Sequence, residues 1–197
     1  MELHERALER QRRVGVIIEM LQLMDRWWDA GATPVVVGSA AFGLMVRPDL
    51  DLEITCPMPS IETGFAIAAE LAHHPRVAKV AFANELTGPA RRLAWRLGYR
   101  WVDEELWSVD MWLIAENRSG PCAADLVEPM RRALTEETRT TILELKEAIF
   151  DQAAEVSSID VYRAVLDGGV RSVAELREWL PENESFGLVY WQPGRSS

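Results

Sequence analysis

The chain has 197 residues, 48% of them hydrophobic and 26% charged, enough for one domain of ordinary size with a helical appendage. Its 21 Lys and Arg against 31 Asp and Glu leave a formal charge of -10, the reverse of the basic footprint that duplex nucleic acid demands. Two cysteines without a CxxC and three histidines exclude zinc fingers and HExxH hydrolases. A charged start and the absence of any apolar run near about 18 residues give the expectation of a cytoplasmic protein without a membrane partner.

Apolar residues at Val14, Ile17, Ile18, Leu21, Met24 and Trp28 follow helical spacing and predict one helix, stopped at Gly31. Pro34 to Val37 then reads as a short strand buried on both faces, and Ser39 to Met45 as a short helix. In Asp49 to Ile54 acid and aliphatic residues alternate strictly, which predicts a strand whose Asp49, Asp51 and Glu53 share one face. Ser60 caps a predicted helix reaching about His74, with Ile61, Phe65, Ala68, Leu71 and Ala72 inward. Val77 to Phe82 is a further strand, and Leu93 to Val102 with Leu106 to Ile114 form a hairpin turning at Asp103-Glu104-Glu105.

Thr135 caps a helix to about Ala154 with Ile142, Leu145 and Ile149 inward. Ser172 to Glu175 forms a capping box for another helix, Gly168-Gly169 separates the last two helices, and Pro193 to Ser197 reads as a frayed end. The expected fold is α/β (α+β): a small mixed β-sheet flanked by helices over residues 1–130, with helices of 131–197 packed on it.

One constellation carries chemistry. Gly38-Ser39 lies between a strand and a helix start, where backbone N–H groups are free to meet a phosphate. Asp49 and Asp51 follow on one strand face, and two such charges about 4 Å apart repel by roughly 4 kcal/mol at an effective dielectric of 20. A divalent cation relieves that repulsion. Asp110, alone in the apolar run Val109 to Ile114, completes a nest of hard oxygen donors suited to Mg²⁺ or Mn²⁺ when its strand lies beside the first.

The runs Gly38-Ser39-Ala40-Ala41-Phe42-Gly43, Asp49-Leu50-Asp51-Leu52 and Val109-Asp110-Met111 resemble the nucleotidyltransferase superfamily related to DNA polymerase beta, including its minimal and antibiotic-modifying members. The resemblance covers about residues 34 to 114. It implies metal ions held by Asp49, Asp51 and Asp110, which are also the catalytic acids, with Asp110 helping to activate an acceptor hydroxyl. Nucleotide phosphate would meet Gly38 and Ser39. Phe42 and Pro48 stand where many minimal members have Arg and Ser, and Arg47 is the candidate replacement charge. The implied activity is transfer of a nucleoside monophosphate from an NTP such as ATP to a hydroxyl of a small, antibiotic-like molecule or of a macromolecule.

Other readings of the same residues stay open. Asp49, Asp51 and Glu53 also suit the solvated face of an edge strand, and Asp110 suits a salt bridge to Arg96 or Arg100. Arg92, Arg96 and Arg100 could instead meet triphosphate oxygens. The alternative at the level of function is a non-catalytic fold relative acting as a binding protein or antitoxin-like partner. A homodimer or a protein partner is compatible with either.

Overall fold

A computed structural model describes residues 2–151, 156–183 and 191–194. Five strands form one mixed sheet in the order β1-β2-β5-β4-β3: β1 Thr33–Val37, β2 Asp49–Cys56, β3 Val77–Asn84, β4 Arg92–Arg100 and β5 Leu106–Ala115. Only β2 and β5 run parallel; the other pairs are antiparallel. The parallel pair places Asp51 opposite Asp110 and Asp49 opposite Ser108.

One face of the sheet is covered by α1 Leu3–Leu21, α2 Leu23–Asp29 and α4 Ile61–Ala72. Trp27, Trp95 and Trp107 are fully buried there. Gly64 in α4 is required by this packing, because a Cβ there would fall 2.0 Å from the Trp95 ring. A second cluster joins α3 Gly38–Phe42 to α5 Val127–Ala133, α6 Glu136–Asp151, α7 Ser158–Leu166 and α8 Val173–Asn183. It interleaves Val37, Phe42 and Leu44 with Ile142, Leu145, Val161 and Leu176.

The expected helix around Val14 to Trp28 is two helices. It starts at Leu3, because Ala7 reaches the core on the same side as Val14, and breaks at Gln22, whose φ of 50° ends α1 in the left-handed region. Pro34 to Val37 is an edge strand with two half-buried positions, not a strand buried on both faces. In α4 the buried residues are Gly64, Ile67, Ala68 and Leu71, while Phe65 and Ala72 are exposed. Ser60 does cap α4, its Oγ accepting from Thr63 N at 3.1 Å.

Thr135 Oγ1 likewise accepts from Thr138 N at 3.2 Å ahead of α6. The end of that helix expected near Ala154 lies outside the described residues. Before α8, Ser172 Oγ accepts from Glu175 N, but the Glu175 carboxylate turns to Arg171 N, so only half of the expected box forms. Pro193 and Gly194 belong to a turn whose Gly194 N–H donates to Asp167; 195–197 lie outside the described residues. Cys56 and Cys122 are free thiols, the first buried at the end of β2 and the second half-exposed. No helix among the described residues is long and apolar enough to cross a membrane.

Candidate active site

β1 ends at Val37, opposite Asp51 in the register, so the chain turns into α3 directly over the β2 carboxylates. Gly38 makes that turn at φ +63°, and a Cβ there would stand 2.6 Å from Asp51 Oδ2. Both the dihedral and the approach demand glycine. The Ser39 side chain turns away from the sheet face into the second cluster, where its Oγ accepts from Lys146 Nζ at 2.6 Å and lies 3.1 Å from Tyr162 Oη.

Asp49 and Asp51 are half-buried. Burial raises the Asp49 acid above its ordinary range, against the pull of Lys146 and Arg47. Asp51 is pushed up to about 7, first by burial and then by the charges of Asp49 and Asp110, with Lys146 and Arg96 opposing. Among the described residues no donor bonds the Asp51 carboxylate. The strand therefore carries more negative charge than the protein around it compensates.

Asp110 is buried and held differently. Arg96, its cross-strand neighbour on β4, bonds both carboxylate oxygens: Nε donates to Oδ1, and Nη2 to Oδ2 at 3.0 Å. Ser108 Oγ also lies 3.3 Å from Oδ1. Of the two arginines weighed against Asp110, Arg96 is the partner, whereas Arg100 meets Glu104 and Arg92 meets Glu85. Asp49, Asp51 and Asp110 are thus brought onto one face of adjacent strands, with the third drawn toward β4. Among the described residues, no three Asp, Glu, His or Cys side chains stand close enough to hold a metal ion as placed.

Glu53 shares the β2 face but not this setting. It is 2% exposed, and its carboxylate accepts from Ala123 N at 2.8 Å and Ala124 N at 3.1 Å. It caps the helical turn Ala124–Leu126 that leads into α5.

Sequence reasoning missed Lys146. This lysine is 5% exposed and donates to three neutral oxygens: Ser39 Oγ, Leu44 O at 2.8 Å and Tyr162 Oη at 3.3 Å. Its charge acts on Asp49 and Asp51 without touching either. With Ser39, Arg47, Asp49 and Phe150 it lines an open cavity of about 100 Å³ beside the acids. The Arg47 guanidinium lies 4.1 Å over the Phe150 ring at its mouth.

No family model matches the chain, and no curated protein does. Solved structures do. The Cid1 poly(U) polymerase bound to MgATP is similar at a TM-score of 0.61 and 18% identity, over 80% of this chain and 50% of that one. A cytoplasmic RNA terminal U-transferase matches at 0.57 and 17%, over 84% and 51%. The non-canonical poly(A) polymerase complex of GLD-2 with GLD-3 matches at 0.52 and 17%, over 94% and 66%. The likeness shows a nucleotidyltransferase fold, and the chain spans about half the length of the first two.

Proposed function

We propose that this chain is a metal-dependent nucleotidyltransferase that moves a nucleoside monophosphate from an NTP to a hydroxyl acceptor. The observation that carries the reading is the stack of Asp49 and Asp51 on β2 beside Asp110 on β5, facing a turn where only glycine fits. The donor set agrees with a hard divalent cation. All three side chains are carboxylates, and Asp51 is raised to about 7 by burial and then by the charges of Asp49 and Asp110. Asp49, Asp51 and Asp110 would hold Mg²⁺ or Mn²⁺, which when bound neutralises phosphate charge and lowers the pKa of the acceptor hydroxyl.

The protein's own part follows from the same geometry. Gly38 lets the backbone close on the Asp51 carboxylate, so a phosphate held at the acids would meet the N–H groups of that turn. Lys146 and Arg47 offer positive charge from the cavity side to the outer phosphates, Lys146 from a frame fixed by Ser39 and Tyr162. The acceptor oxygen attacks the α-phosphorus, the bond to the β-phosphate oxygen breaks and pyrophosphate leaves. Asp110 accepts the acceptor's proton, and to do so it must first leave the Arg96 fork.

The similar structures are RNA-tailing enzymes by name, whereas a charge of -10 suits a small cationic acceptor better than a polyanion. Pyrophosphate release from each NTP with Mg²⁺, run separately with a short single-stranded RNA and with an aminoglycoside-type acceptor, tests the reading and separates the two acceptors. Release with neither, in protein that binds NTP and Mg²⁺ by calorimetry, limits the failure to the acceptor. Absence of both release and binding overturns the proposal.

One observation favours the second reading, a non-catalytic fold relative serving as a binding or antitoxin-like partner. Arg96 already occupies both oxygens of Asp110. In that case Mg²⁺ fails to stabilise the protein, with or without an NTP.

A further inference from the structure

We infer that this chain forms a two-fold dimer by pairing β3 antiparallel with β3 of a second copy, joining two five-stranded sheets into one of ten strands. Among the described residues β3 pairs with β4 alone and closes the sheet at that side. Glu85 N donates to Arg92 O at 3.0 Å, and the register continues in twos through Ala83↔Ala94 and Ala81↔Arg96. Hydrogen-bonded pairs alternate along an antiparallel ladder, so the N–H and C=O groups of Val80 and Phe82 point outward.

Edge strands are ordinarily blunted by shortness, proline or charge. The other edge, β1, follows that rule with five residues and Pro34. β3 is blunted only at its start, by Lys79 and a register shift between Val77 and Lys79; residues 80–84, Val-Ala-Phe-Ala-Asn, carry neither proline nor charge. On a chain of charge -10, this is an edge where two copies meet without setting carboxylates against each other.

The flank of α4 completes the surface. Phe65 is 44% exposed, its ring stands 4.7 Å from Phe82, and Ala69 and Ala72 follow it on the same side, both exposed. The acids of α4 are engaged elsewhere, Glu70 with Arg26 on α2 and Glu62 with Ser60. Neighbouring strands lie about 4.8 Å apart, and α4 rests over both β3 and β4. A two-fold axis at the β3 edge therefore sets the two copies of α4 about 10 Å apart, a helix-packing distance that small side chains favour. Such an axis, perpendicular to the sheet, leaves both acid faces on the same side of the assembly, so the inference does not depend on the proposed activity.

Light scattering on the full chain after gel filtration, over a hundredfold range of concentration, tests it. The expected mass is twice 22.3 kDa. Val80→Pro removes an outward N–H without touching the β4 pairing, and Ala69→Glu places a charge on the α4 flank. Both are expected to give monomers with unchanged circular dichroism, and Ala69→Glu, on an exposed helical position, keeps the test decisive where the proline disturbs β3. A wild-type monomer throughout that range overturns the inference, as does a dimer that survives folded Ala69→Glu and Val80→Pro.

Discussion

Asp51 and Glu53 stand two residues apart on one face of β2, and their surroundings are opposite. Glu53 is enclosed, and two backbone N–H groups share its charge. Asp51 is half-buried beside two further acids, without a donor among the described residues. A buried acid whose hydrogen bonds are complete holds structure together. One whose charge the protein leaves uncompensated is a candidate for binding a cation.

Exchanging the acids one at a time sharpens the contrast. Asp51→Asn is expected to lower pyrophosphate release at least about 100-fold, the scale of losing one electrostatic stabiliser, with the fold intact by circular dichroism. Unchanged release would place the chemistry elsewhere.

The pH response comes next in size. An acid raised from 3.8 to about 7 keeps its proton longer in the folded protein than in the unfolded chain. Metal-free stability must then fall as pH rises through that window, by an amount on the order of a few kcal/mol. Thermal unfolding in EDTA at pH 5 and pH 8 should show the drop in the wild type and a smaller one in Asp51→Asn; equal slopes would contradict the surroundings described for Asp51.

Glu53→Gln should do the reverse of Asp51→Asn. It is expected to cost about 1–3 kcal/mol of stability by spoiling the paired N–H contacts, read as a denaturation midpoint, with release per folded molecule unchanged. The smallest effect is Lys146→Met, which should weaken NTP binding about tenfold, or 1.4 kcal/mol, in a calorimetric titration. No change there would make Lys146 a prop for Ser39 and Tyr162 alone.

Much of the acid face was legible in the sequence, because a period of two in Asp49 to Ile54 admits one geometry and Gly38 marks a turn that side chains cannot enter. The hairpin expected over Leu93 to Val102 and Leu106 to Ile114 was legible for a different reason, two runs rich in Trp and Tyr around the polar turn Asp103-Glu104-Glu105. Glu53 was not, since its partners Ala123 and Ala124 lie seventy residues on and are backbone donors that leave no mark in side-chain type. Lys146 was hidden in an ordinary helical sequence, and only the docking of α6 on α3 places it next to Ser39. Phe65 was misread as inward because the spacing of apolar residues around α4 fits two adjacent stripes. Trp95 settles the matter by filling the space over Gly64.

The two thiols give the molecule a built-in clock. Cys56 ends β2, its thiol is raised by burial, and its Sγ lies 3.8 Å from Ile114 O on β5. Cys122 is half-exposed in the loop ahead of α5. Alkylation needs thiolate and access, so Cys122 reacts while the fold is shut and Cys56 reacts when the β2–β5 seam parts. The ratio of the two labelling rates thus times the opening of the far end of the β2–β5 seam, where Cys56 pairs with Ala115.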